Sequence, residues 1–179
     1  AAGLMLLPGS ALNGFLSPRM GKLFDKYGPK WLVLPGLVAV ALVTWLLSGL
    51  TSSSPIAFVV GLHIFLMIGI AMVWMPSQTN GLNQLPPELY PHGTAVMNTL
   101  QQVSGAVGTA AAVSLLTRGM ERYLAESAVP AGEAELANAM TFGSHNVFLF
   151  ATTITLVGIV MALFIRRVAV SHGSPHPTH

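Results

Sequence analysis

The chain has 179 residues, of which 53% are hydrophobic and only 8% charged, with a formal net charge of +2 and a mean hydropathy of +0.66. A soluble domain carries close to a quarter charged residues, so a globule dissolved in water is excluded. No basic stripe with interleaved aromatics suits nucleic acid, and the lack of any cysteine excludes disulfides and thiolate metal sites.

Only helices or closed barrels satisfy their backbone in hydrocarbon, and no ten-residue alternating pattern suggests strands. The expected fold class is therefore an all-α membrane protein, with five apolar segments near the ~20 residues that cross a bilayer. The first covers residues 1–17 and is stopped by Pro18-Arg19. It opens on Ala1-Ala2-Gly3 with neither an initiator Met nor a basic n-region, which reads as a chain cut inside a membrane helix rather than a signal peptide. The second covers 31–50 and ends in the polar turn Thr51-Ser52-Ser53-Ser54-Pro55; the third covers 56–75, with Pro76 as its expected stop. From Trp31 to Pro87 there is no Lys, Arg, Asp or Glu. The fourth covers 93–117, and the fifth covers 145–165, closed by Arg166-Arg167.

Residues 118–143 are expected to form an extracytoplasmic loop, with the fourth helix continuing through Met120, Tyr123 and Leu124 and a short surface helix over 133–140. Residues 171–179 are expected to be a disordered cytoplasmic tail; His172, His176 and His179 have no metal-site spacing. Arg19, Lys22, Lys26 and Lys30 lie between the first two spans, and Arg166-Arg167 follow the last. With five spans these clusters share one side, which the positive-inside rule makes cytoplasmic, so the N-terminus is expected outside and the C-terminus inside.

The segment Gly21-Lys22-Leu23-Phe24-Asp25-Lys26-Tyr27-Gly28-Pro29-Lys30 reads as a tight hairpin. Gly21 and Gly28 permit sharp turns and close approach, Asp25 suits the start of the next helix, and Lys26 and Lys30 face anionic lipid. In the fourth span Asn98, Gln101 and Gln102 are polar in hydrocarbon, which means either helix-to-helix hydrogen bonds or the wall of a cavity. Ser104, Gly105 and Gly108 belong to small pairs four residues apart that admit a neighbouring backbone. His63 is a lone ionisable group in the third span, read as a satisfied structural histidine or as a proton carrier. Trp74, Met72 and Met75 supply either a soft binding wall or an interfacial anchor. No carboxylate pair, H-E-x-x-H or nucleophile elbow occurs in the spans, so no catalytic role is assigned.

The spacing G-x-L-x-D-[RK]-x-G in this hairpin resembles the loop motif of the major facilitator superfamily. Pro76-Ser77-Gln78-Thr79-Asn80-Gly81-Leu82-Asn83, Leu89-Tyr90-Pro91-His92-Gly93-Thr94-Ala95 and the run from Met97 to Thr109 resemble its fourteen-span drug:proton antiporter branch. The resemblance implies a partial C-terminal bundle running from the tenth helix to the fourteenth. It implies multidrug or small-molecule efflux by alternating access with proton antiport, in the plasma or inner membrane. Gly21, Asp25, Lys26, Gly28 and Lys30 would form a conformational latch. The implied partners are membrane lipid, missing N-terminal helices of the same transporter, and a small hydrophobic or cationic substrate; no cofactor is expected beyond a proton gradient. Coupling carboxylates would lie outside this chain. Export of a metabolite, or a membrane scaffold that transports nothing, are the alternatives.

Overall fold

The computed structural model describes residues 14, 16, 18–24, 26–51, 53–127 and 132–165. Asp25, all of the first expected span but residues 14 and 16, Arg166, Arg167 and the 171–179 tail lie outside the described residues. Among the described residues the chain is helical, without a strand. Helix α1 is seen at residues 18–24 and 26–27. It is followed by α2 (Pro29–Ser48), α3 (Ile56–Leu82), a single 3-10 turn (Pro87–Leu89), α4 (Tyr90–Glu126) and α5 (Glu133–Leu163).

Local chemistry sets the breaks. Gly28 adopts φ 83°, a left-handed conformation that only glycine takes without strain, and its N–H donates to the Phe24 carbonyl at 2.8 Å. Pro29 then opens α2 at a position where its missing N–H costs nothing. Gly28 alone makes this turn. Gly21, expected to share it, is helical with nothing within 4 Å of where a Cβ would stand. The other end of α2 closes on Gly49, whose N–H returns to Leu46.

Two boundaries differ from the sequence expectation. Helix α3 does not stop at Pro76 but runs on to Leu82. Pro76 is fully buried, and packing holds the helix together past the one hydrogen bond that the ring removes. The expected loop 118–143 is mostly helix, since α4 runs to Glu126 and α5 starts at Glu133. The surface helix expected at 133–140 is the first part of α5, entered from Gly132 with Glu133 and Glu135 in its favourable first turn. By length and composition α2, α3 and α5 are apolar enough to cross a membrane. Helix α4 is long enough but diluted by Asn98, Gln101, Gln102 and its small polar residues.

Helix α2 is the centre of the bundle, packed against both α3 and α5, while α4 leans on α5 and meets α3 only near their connection. Met20, Phe24, Leu32 and Ala71 form one apolar cluster where α1 joins α2 and α3. Val43, Leu47 and Leu62 form another, with Phe148 of α5 against it. Two glycine crossings bring backbones together. A Cβ on Gly36 would stand 3.0 Å from the Gly69 carbonyl, and one on Gly119 would stand 2.6 Å from Gly143 Cα. Antiparallel α2 and α5 are joined by a polar seam. Lys30 Nζ donates to the Leu163 carbonyl at 2.8 Å, Thr152 donates to Thr44 at 2.9 Å, and His145 Nδ1 donates to the Ser48 carbonyl at 2.6 Å. Elsewhere large apolar side chains such as Phe65, Val107, Met161 and Phe164 are exposed, as befits a protein whose solvent is lipid.

Candidate functional site

Helices α3 and α4 start from a tight corner and then separate. At the corner a Cβ on Gly81 would stand 2.6 Å from Met97 Cε, and one on Gly93 would press on Leu85 and Leu82. At its far end α4 is drawn away onto α5 by the Gly119–Gly143 crossing. The gap is a cavity of about 640 Å³, lined by Val73, Trp74, Ser77 and Gln78 of α3 and by Met97, Leu100, Gln101, Ser104 and Gly105 of α4.

Helical periodicity explains the lining. Ser77 and Gln78 stand three and four residues after Trp74, and Gln101 and Ser104 stand four and seven after Met97, so each set shares one face. Trp74 is 47% exposed and offers a broad π face to a flat or cationic ligand. Met97 is a deformable wall, and the two amides donate and accept hydrogen bonds. Among the described residues no acid or base lines the cavity, so they recognise shape and polarity without formal charge.

The sequence-named residues divide among several places. Trp74, Gln101, Ser104 and Gly105 meet in this cavity. Gln102 points to the other side of α4, towards Thr109 and Val113. Asn98 and Met75 are exposed and do not line it. His63 lies about 16 Å along α3 from Trp74, at 1.5 Å per residue. Its Nε2 is buried and has no hydrogen-bond partner among the described residues. Gly105 and Gly108, named as packing residues, have nothing among the described residues within 4 Å of a Cβ position. The close packing falls instead on Gly36, Gly69, Gly119 and Gly143, because each pair requires a partner helix that local spacing does not reveal.

Of the loop-motif residues, Gly28 is the turn, Lys26 lies over the Tyr27 ring at 5.2 Å, and Lys30 holds the end of α5. Ser77, Gln78 and Met97 are cavity residues not singled out as binding residues from the sequence, although the i, i+3, i+4 and i+7 spacing carried the signal. A second groove of about 520 Å³ lies at the opposite end of the bundle, between Ser48, Thr51, Tyr123, Asn138 and His145. Among the described residues no three His, Asp or Glu side chains gather to hold a metal.

Comparison with known proteins agrees with this architecture. The model described as Major Facilitator Superfamily matches residues 1–109. The lincomycin resistance protein LmrB of Bacillus subtilis (strain 168) is 53% identical over 172 residues, covering 96% of this chain and 36% of the relative. LmrB of Listeria monocytogenes serovar 1/2a is 48% identical over 167 residues, covering 93% and 35%. The puromycin resistance protein pur8 of Streptomyces alboniger is 26% identical over 163 residues, covering 89% and 31%. The chain thus spans about a third of the length of the curated relatives it matches. No solved structure matches it.

Proposed function

The chain belongs to the major facilitator superfamily, and from that premise we infer that it is part of an integral membrane transporter exporting small drug-like molecules. The observation that carries this reading is the α3–α4 cavity, where Trp74 and Gln78 of α3 stand across from Gln101 and Ser104 of α4. Relatives called lincomycin and puromycin resistance proteins support a drug as cargo. A stacking surface beside neutral amides suits a substrate with a flat or apolar body and several hydrogen-bonding groups.

Transport runs by alternating access, with α4 exchanging its position against helices of the rest of the transporter. Its unpartnered Gly105–Gly108 face receives them. Drug export is driven by proton antiport, and the coupling carboxylates lie outside this chain, since α2, α3 and the middle of α4 carry no Asp or Glu. The basic hairpin before α2 and the C-terminal end of α5 lie on the cytoplasmic side; the Lys30–Leu163 hydrogen bond supports their sharing one side. The latch of Gly21, Asp25, Lys26, Gly28 and Lys30 belongs to the same reading.

The test is resistance and efflux. The full-length transporter, produced in drug-sensitive bacterial cells, is expected to raise tolerance of lincomycin and to expel it only while a proton gradient is maintained. Gln101→Leu together with Trp74→Ala abolishes that effect at unchanged membrane abundance. Export that persists after the gradient is collapsed excludes proton antiport, and unchanged tolerance in the double variant excludes the cavity.

A further inference from the structure

The outward face of α2 carries a feature that drug export does not use. Trp31, Leu34, Pro35, Val38, Ala39 and Leu42 line an apolar groove of about 730 Å³, with Lys30 at its mouth. From Trp31 to Leu42 the groove runs about 16 Å at 1.5 Å per residue. That matches the hydrocarbon depth of one leaflet, half of roughly 30 Å.

The mouth is built for negative charge. Lys30 is exposed there, and the exposed Lys26 stands four residues before it in the chain, across the Gly28 turn. Lys30 is held in place by its bond to the Leu163 carbonyl, which uses one of the ammonium's three protons and leaves two for another acceptor. Lys26 is steadied over the Tyr27 ring. Trp31 is 77% exposed, and its amphipathic ring suits the headgroup level of a bilayer. A free phosphate has no use for the apolar groove, and a zwitterionic lipid gains little from the lysines.

We propose that the α2 groove is a binding site for an anionic diacyl phospholipid. One acyl chain lies along Leu34, Val38 and Leu42, and the phosphate sits at Lys30 and Lys26. The proposal rests on the reading of α2 as a membrane-spanning helix, and its test keeps the two apart.

The full chain with Trp45→Phe and Trp74→Phe retains Trp31 as its one tryptophan, excited selectively at the red edge of its absorption. It is reconstituted in vesicles of brominated phosphatidylglycerol with ordinary phosphatidylcholine, and in the reverse pair. Brominated phosphatidylglycerol is expected to quench Trp31 with at least about fivefold higher relative affinity, and Lys26→Gln to lower that preference about fivefold. Lys26→Gln leaves the Lys30 tie to α5 intact, so a loss there is not a loss of folding. Val38→Phe, which fills the groove, is expected to remove the preference. Equal quenching by the two lipids overturns the site. A preference that survives Val38→Phe overturns it too, because it reports only surface charge. Absence of quenching by either lipid overturns the membrane placement of α2 itself.

Discussion

Thr152 of α5 donates its hydroxyl to Thr44 of α2 at 2.9 Å, between the two outer contacts of the seam that joins these helices. Both hydroxyls also lie on backbone carbonyls of their own helices, Phe148 for Thr152 and Val40 for Thr44. Removing one therefore leaves little unsatisfied. Thr152→Val is expected to cost about 0.6 kcal/mol, the usual size of a side-chain hydrogen bond between membrane helices. A double-mutant cycle with Thr44→Val in reversible detergent unfolding checks it, and the coupling should be of the same size.

The two ends of the seam act on helix C-termini. Lys30 sits on the last carbonyls of α5 and His145 on those of α2, where a donor or a positive charge is favourable. Lys30→Met and His145→Leu are each expected to destabilise by about 1 kcal/mol. About 27 Å of helix separates the two ends, so the effects should add. The double variant, measured by the same unfolding assay, checks this. By contrast the Arg122–Glu126 pair is largely exposed, and Glu126→Gln should change stability by no more than about 0.5 kcal/mol.

Glycine positions separate packing inside the chain from packing outside it. A methyl group on Gly143 would stand 2.5 Å from the Leu116 carbonyl, and backbone cannot step aside. Gly143→Ala is expected to cost about 1–3 kcal/mol and to loosen α4 from α5. Gly108→Ala meets nothing among the described residues and should raise the chain's stability by up to about 1 kcal/mol through helix propensity. If this face receives a helix from the remainder of the transporter, the same Gly108→Ala slows efflux by the full-length protein.

Much of this architecture is legible in the sequence because lipid imposes a simple code. Long uncharged runs locate α2, α3 and α5, and a Gly-Pro step locates the turn before α2. The code fails where tertiary packing overrides a local breaker, as at Pro76, which is buried deeply enough for α3 to pass through it. Over residues 118–143 the continuation of the fourth helix and a helix from 133 are legible, but their packing through Gly119 and Gly143 is not. Four of the nine lining residues, Trp74, Gln101, Ser104 and Gly105, stand out in the sequence, but only Gln101 as a polar group in hydrocarbon. That Gln101 faces Gln78, and Gln102 does not, depends on where α4 is pinned at each end.

His63 offers a further check. Its buried Nε2 lacks a partner among the described residues, and it stands away from the α3–α4 cavity. Removing an unsatisfied polar group should relieve a penalty, so His63→Leu is expected to raise stability by about 1 kcal/mol. Efflux by the full-length protein should be unchanged. A loss of proton-driven efflux with intact folding would instead make His63 a proton carrier.

The central claim is that the α3–α4 cavity is a water-filled part of the transport pathway, and its most direct measurement is thiol accessibility. The chain has no cysteine of its own, so single cysteines can be placed at Gln101 and, on another face of α4, at Val103. In native membranes holding a cysteine-free version of the full-length transporter, Gln101→Cys should react rapidly with a charged thiol reagent and be protected by substrate. Val103→Cys should react slowly and without protection. Equal, slow reaction at both positions would contradict the account, for it would mean that water and substrate never enter the space between α3 and α4.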